Sequence, residues 1–176
     1  NRLALGKEVQ PAVPETLNPF PKGAPNNRLG FAKWIVSKDN PLTARTLVNR
    51  IWAQLFGRGL VEPLGDMGTQ STPSMHIDLL DYLALDLMQN KKWSMKALIK
   101  DIVMSSTYKQ SSSLNQGDAE KDPANIFLAR GPRFRLSAEQ IRDQTLAVSG
   151  LLSSKMYGPS VMPYQPDGVW MTVYSG

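Results

Sequence analysis

The sequence contains no cysteine and only one histidine, His76. The lack of cysteine excludes disulfides, cysteine-ligated zinc, a thiol nucleophile and covalently attached c-type haem within this chain. A single histidine offers no ligand spacing that would indicate a metal site, because such sites need several histidine, cysteine or carboxylate ligands. We therefore predict neither a metal ion nor a cofactor in this segment.

Long apolar runs and a strong excess of one charge are also missing. No stretch approaches the roughly 18 apolar residues that a membrane-spanning helix requires, so we predict no membrane span. The net charge is +5 and the basic residues are scattered, which argues against a nucleic-acid partner. A hydrophobic content of 41% over 176 residues is typical of a globular protein with a real core.

Catalytic signatures are scarce as well. The sequence has neither the GxSxG pattern of a nucleophile elbow nor a phosphate-binding glycine loop that ends in GK[ST]. Its catalytic residues therefore stay unknown, and whether the chain is an enzyme stays open. His76 lies on an apolar helix face, where a hydrogen-bonded core histidine is the commoner case. A ligand or acid–base role for His76 is the alternative.

What the sequence does contain is helical periodicity separated by loops. It predicts an all-α fold of about five helices in an irregular orthogonal bundle with long loops. Residues 1–25 hold five prolines and form an extended lead-in, anchored by Val13, Leu17 and Phe20. Residues 26–176 form the helical domain, and we expect this domain to be truncated at its C-terminus.

The stretch NPLTARTLVNRIWAQLFGRGL, residues 40–60, predicts the central helix. Asn40 is a capping residue, Pro41 suits the first helical position and Gly57 suits a left-handed C-terminal position. The apolar arc of this helix holds Ala44, Leu47, Val48, Ile51 and Leu55, and Trp52 and Phe56 widen it. Arg45 and Asn49 lie at the edge of that arc, where an amide and a guanidinium need partners. We predict that both pin the loop that follows Gly57.

The remaining helices follow from their own start signals. A first helix is predicted from about Arg28 to Ser37, with its inner stripe at Leu29, Ala32, Ile35 and Val36. A second start signal, Thr72–Pro73, predicts a helix to about Asn90, and Ser94 caps a further helix that reaches Tyr108. Residues 111–122 are predicted to form an exposed loop, followed by a short helical piece after Asp122–Pro123. A Ser137–Gln140 capping box then predicts a helix from Ala138 to about Leu152.

Polar residues near the loops supply the candidate site. Asp66 is the acid of the long loop that follows the predicted central helix, residues 57–72, and Asp81 is a plausible partner for a buried arginine. Arg130, Arg133 and Arg135 surround Phe134 and could contact an anion or a polar polymer, although a solvated turn, or pairing with the Asp-bearing helices, is the preferred interpretation. Tyr157, Tyr164 and Trp170 either form a carbohydrate-stacking surface or cover the core. The candidate ligand or interface residues are Arg45, Asn49, Arg58, Asp66, His76 and Arg142.

Several stretches, taken in order, resemble one known family. They are NRLGFAKWIVSKDNPLTARTLVNRIWAQLFGRGLV, PSMHIDLLDYLA, WSMKALIKDIVMSSTYKQSS, LSAEQIRDQTLAVSG and GPSVMPYQPDGVW. The chain is similar to the N-terminal part of the planctomycete cytochrome-associated C-terminal domain of unknown function. That family typically has Ser-His-Pro-Glu where this chain has Met75-His76-Ile77-Asp78, so the histidine is kept and the proline is lost.

The resemblance implies an exported protein, periplasmic or at the cell surface, with haem in another domain of the full protein. It implies no established activity. The leading hypothesis is a non-catalytic helical module that packs against neighbouring domains of the same protein, with a c-type cytochrome domain as a candidate partner. The alternative is a domain that binds or degrades polysaccharide in a cleft around Arg45, Asn49, Asp66 and His76. A third hypothesis, contact of His76 with a partner's haem, requires His76 to be exposed.

Overall fold

The computed structural model describes Gly6 and residues 10–68, 70–114, 116–164 and 166–169. Within these ranges the protein has six helices and no strand, so the predicted all-α fold is confirmed. No helix among them is long and apolar enough to cross a membrane. The helices are α1 (Arg28–Ile35), α2 (Thr43–Phe56), α3 (Ile77–Gln89), α4 (Met95–Met104), α5 (Gln116–Lys121) and α6 (Ala138–Val148).

The chain divides into two compact units, Asn1–Phe134 and Arg135–Gly176. The first unit contains α1 to α5 and the hydrophobic core. The second contains α6, which begins with the predicted capping box: Ser137 accepts from the Gln140 backbone and Gln140 accepts from the Ser137 backbone. The predicted boundary between residues 25 and 26 stays a prediction.

Helix α2 ends as predicted but begins later. Gly57 has a φ of +77°, the left-handed conformation that glycine adopts without a steric penalty. Asn40 Oδ1 accepts from Leu42 N at 3.0 Å and from Thr43 N at 3.1 Å. The asparagine therefore closes a turn ahead of the helix, and Pro41 is not its first residue as predicted.

The core lies where α2 packs against α3 and α3 packs against α4. Val48, Leu80, Leu87 and Leu98 are fully buried at its centre. The buried face of α2 is rotated from the predicted arc, because Trp52 and Phe56 are buried while Leu47, Ile51 and Leu55 pack only partly buried at its margin. Leu60 and Val61, from the loop after α2, belong to the same cluster.

The inner face of α1 was predicted wrongly. Leu29 is 57% exposed, whereas Trp34 is 6% exposed and donates from its indole nitrogen to the Asn18 carbonyl at 2.7 Å. The helix starts as predicted, with Asn27 as its capping residue. The proline-rich arm supplies the acceptor for Trp34, so this indole faces the arm. Val13, Leu17 and Phe20 are half-buried along the arm, as expected of its anchors.

Three other predicted boundaries are corrected. Helix α3 begins at Ile77 and not at Thr72. Thr72 N donates to Glu62 O at 3.2 Å, so Thr72 is held within the α2–α3 loop. Helix α4 has its predicted Ser94 cap, but it ends at Met104 since Ser105 takes an extended conformation. Helix α6 ends at Val148 and not near Leu152.

Two further corrections concern residues 111–128. The stretch expected to be an exposed loop contains α5, and the helical piece expected after Asp122 is a series of turns. Asp122 accepts from Ile126 N at 2.7 Å and from Phe127 N at 2.8 Å, which folds these turns back on the carboxylate. In the second unit, Tyr157 and Tyr164 are exposed and do not cover a core, and Trp170 lies outside the described residues.

Candidate functional site

Asn49 holds the loop after α2, as predicted. Its side chain is fully buried, donates from Nδ2 to Val61 O at 2.8 Å and accepts at Oδ1 from Val61 N at 3.0 Å. Gly59 N donates to Glu62 Oε1 at 2.6 Å, which closes the turn between these points. A β-carbon at Gly59 would lie 2.9 Å from Asn49 Oδ1. The loop therefore packs directly on the helix.

Arg45 does not hold the loop, contrary to the prediction. Its guanidinium binds the Asp81 carboxylate of α3 through both oxygens, at 2.5 Å from Nε and 2.8 Å from Nη2. Nη1 donates to the Pro41 carbonyl at 2.9 Å. Hydrogen bonding to Arg45, and then its charge, lowers the pKa of Asp81, while the same pair raises the pKa of Arg45. Arg45 thus joins α2 to α3 through Asp81, the residue that the sequence indicated as a partner for a buried arginine.

A cavity of about 580 Å³ lies in the first unit, a size typical of small-molecule sites. It is lined by the loop after α2, between Gly57 and His76, and by Leu114 with the turns between Pro123 and Phe134, on either side of α5. The aromatic end of α2 forms part of the wall. Phe134 packs on the left-handed turn at Gly57, where a β-carbon would lie 2.7 Å from the ring. The glycine that ends α2 therefore also allows the aromatic ring to approach the wall.

His76 joins the two loop regions of this cavity. It is the residue before α3, it is half-buried, and its Nε2 lies 2.8 Å from the Ile126 carbonyl. This bond requires a proton on Nε2, because a carbonyl oxygen can only accept. Ser74 Oγ accepts from His76 N at 3.1 Å. The histidine is therefore hydrogen-bonded at the cavity wall and is not buried in the apolar core.

The turn that carries the basic cluster is fixed through its backbone. Asn125 Nδ2 donates to Arg130 O at 2.8 Å, and Asn125 Oδ1 accepts from Arg130 N at 3.3 Å. Gly131 N donates to Ser111 O at 2.9 Å, and Gln110 Nε2 donates to Leu128 O at 2.9 Å. The backbone around Arg130 is consequently fixed by three residues that precede it in the sequence, Gln110, Ser111 and Asn125.

The structure brings together only part of the predicted site. His76 and Arg58 line the cavity. The other three residues are not among its lining residues: Asn49 is hydrogen-bonded to Val61 and Arg45 to Asp81, and Asp66 accepts a hydrogen bond from Gly68 N. The described residues therefore do not form a cleft around Arg45, Asn49, Asp66 and His76. Arg142 belongs to the second unit, where it is exposed 3.5 Å from Asp143.

Sequence reasoning placed Arg130 outside the candidate set. The density of arginine in RGPRFRL was a visible signal, but the preferred interpretation was a solvated turn or pairing with aspartates. Arg130 is in fact 8% exposed and lines the cavity with Arg133 and Phe134. In the part of the chain that the structure describes, no group of three or more histidine or carboxylate residues is arranged to hold a metal ion.

Comparison with known proteins identifies the family. No curated protein and no solved structure matches the chain. A family model does match over residues 27–175, and it begins at the capping residue of α1. This match covers most of the sequence, and it includes the helical core and the cavity. The chain therefore belongs to the PSD1 family, described as a protein of unknown function (DUF1553).

Proposed function

We propose that this chain is a non-catalytic helical module that packs against neighbouring domains of a larger exported, cytochrome-linked bacterial protein. The exported setting and the cytochrome link come from the resemblance of its motifs to a planctomycete family. The observation that carries the packing role is the exposed apolar face of α6. Haem, in this proposal, belongs to another domain of the full protein.

Helix α6 has an exposed apolar face. None of its eleven residues is buried, although Ile141, Thr145 and Val148 recur at helical spacing. Val148 is 86% exposed, and the residues that follow, Leu151 and Leu152, are exposed as well. An isolated helix of this length is only marginally stable in water. In a protein, most of the stability of a helix comes from the packing of its apolar face against other elements. A neighbouring domain that covers this face would provide the missing contacts.

Hydrogen exchange tests the packing role. We expect the α6 amides to exchange at least about tenfold slower in the full-length protein than in the isolated chain, since a covered helix opens less often. Amides of α2 are the internal control and should exchange alike in both samples. Ile141→Glu should remove the additional protection, whereas the matched change Gln144→Glu should leave it. Equal exchange of α6 in both samples would contradict the proposal.

The non-catalytic part is tested by a substrate screen. We expect neither the isolated chain nor its Arg130→Met variant to hydrolyse or oxidise any glycan in a broad panel. If the isolated chain turned over a glycan and Arg130→Met did not, the chain would be an enzyme and the non-catalytic proposal would be wrong.

Polysaccharide binding is the second candidate function. It is favoured by the cavity, where the rings of Trp52 and Phe134 line a wall that also carries polar groups. Aromatic faces beside hydrogen-bonding groups suit a sugar ring. Retention of the chain on an immobilised glycan, and its loss in Phe134→Ala, would support this function. Retention that is equal in both proteins would place glycan binding elsewhere.

A further inference from the structure

Positive charge dominates the wall of the cavity. Arg58, Arg130 and Arg133 line it, and Glu62 is the one carboxylate among the described lining residues. Glu62 already accepts a hydrogen bond from Gly59 N at 2.6 Å. The N-terminus of α3 lies at the same wall, because its capping residue His76 lines the cavity, and the helix dipole adds partial positive charge there. Asp78, in the first turn of α3, offsets part of that dipole.

Arg130 is the informative member of this set, because its charge is buried. The side chain donates from Nη2 to the Pro123 carbonyl at 2.9 Å. Nη1 is shielded from solvent and has no hydrogen-bond partner in the described part of the chain, and no ion pair there includes Arg130. Burial of a cation without a counter-ion is costly, and so is a buried donor without an acceptor. A bound anion would reduce both costs.

The surroundings of Arg130 suit an organic anion with an apolar part better than a simple inorganic ion. Asn125 fixes the backbone of Arg130 and the Pro123 carbonyl holds its guanidinium, so little conformational entropy is lost when the guanidinium binds. Apolar side chains complete the wall, among them Leu60, Ile126 and Leu128. The volume of about 580 Å³ accommodates a small organic molecule with an apolar part.

We propose that the cavity binds a small oxyanion-bearing ligand, a carboxylate, sulfate or phosphate ester, whose anionic group pairs with the Arg130 guanidinium. A guanidinium spreads its charge over three nitrogens and matches the geometry of all three oxyanions. Exposed Arg133 and Arg58 attract the ligand and hold the outer part of the anion. The site lies within the first unit and does not depend on the packing of α6.

Anion titration at constant ionic strength tests this site. The chain is titrated with sodium acetate, sulfate or phosphate, each replacing sodium chloride, and the amide signals of Gly57, Gly59 and Gly131 are followed by NMR. We expect at least one of the three anions to shift these signals saturably. The anion that binds most tightly identifies the class, and a chloride-only series provides the baseline.

Three variants decide whether the binding belongs to Arg130. We expect Arg130→Met to raise the dissociation constant at least about tenfold, the scale of a lost charge-assisted hydrogen bond. Arg133→Gln should weaken binding by about two- to fivefold, because this side chain is exposed. Arg28→Gln, which removes an equal charge from an exposed position of α1, should leave the dissociation constant unchanged.

Several results would overturn the proposal. They are the absence of saturable shifts with all three anions, unchanged binding by Arg130→Met, or an equal loss of affinity in Arg28→Gln. If circular dichroism shows that Arg130→Met has lost its helices, Arg133→Gln decides alone. Unchanged binding by that folded variant would then reject the site.

Discussion

The side-chain amide of Asn49 makes both of its hydrogen bonds to the backbone of one residue, Val61. Val61 thus pairs its N–H and its carbonyl with a helix side chain, as it would with a neighbouring strand. Both groups are buried, so water cannot replace the amide. This pair attaches the long loop to α2 and, through the loop, positions one wall of the cavity.

Replacement of Asn49 should therefore destabilise the protein. We expect Asn49→Ala to lower the free energy of unfolding by about 2–4 kcal/mol, since it leaves a buried donor and a buried acceptor unpaired. Urea denaturation followed by circular dichroism measures the change. Gln54→Ala, on the exposed side of the same helix, is the control and should change stability by less than about 0.5 kcal/mol. Similar losses in both variants would show that the Val61 pair contributes nothing specific.

Gly57 should tolerate no side chain. Gly57→Ala places a β-carbon in the left-handed region and against the ring of Phe134, so we expect a loss of about 1–3 kcal/mol. Gly65→Ala is the matched control, because a β-carbon there meets nothing within 4 Å and its φ is not in the left-handed region. Thermal melts of the two variants measure the difference. A melting temperature for Gly57→Ala equal to that of Gly65→Ala would contradict the close approach of Phe134.

Leu80 should be a major contributor to the core. It is fully buried where α3 packs on α2, so Leu80→Ala should cost about 2–5 kcal/mol through lost burial and an unfilled cavity. Leu85→Ala, half-exposed on the same helix, should cost well under half as much. Chemical denaturation distinguishes the two. Equal costs would mean that the α2–α3 contact is not the centre of the core.

The Arg45–Asp81 pair should make stability depend on pH. The folded-state pKa of Asp81 lies below its ordinary value of 3.8, so the pair stabilises the protein above that value. Its contribution is lost as pH falls through the lowered pKa. Because the two side chains are 34% and 37% exposed, solvent screening limits this contribution to about 1 kcal/mol or less.

Asp81→Asn is the variant that isolates this effect. The difference in unfolding free energy between wild type and Asp81→Asn should be constant from pH 7 to about pH 5 and should shrink towards zero below about pH 4. Urea denaturation at each pH measures it, with Asp39→Asn, in the exposed α1–α2 turn, as control. A difference that grows as the pH falls would have the wrong sign for a carboxylate held ionised by Arg45.

Local signals in the sequence were sufficient for the helix starts that have a strong side-chain cap. Asn27, Ser94 and the Ser137–Gln140 box each act on backbone groups within three residues, so a short stretch of sequence contains all the information. Asn49 as an anchor of the loop was also predictable, and so was an arginine partner for Asp81, although Arg45 itself was assigned to the loop. A polar group at the edge of an apolar arc must find a partner, and the choices nearby were few.

Which face is buried and which residues share a cavity were decided by the tertiary structure. Trp34 is buried because the arm at Asn18 reaches it, and α3 begins late because the α2–α3 loop holds Thr72. Arg130 became a cavity residue because Asn125 and Ser111 fix its turn beside the end of α2. The sequence by itself determined the all-α class and the capped helix ends, since those depend on local contacts. The cavity depends on contacts between distant segments, which only the folded chain brings together.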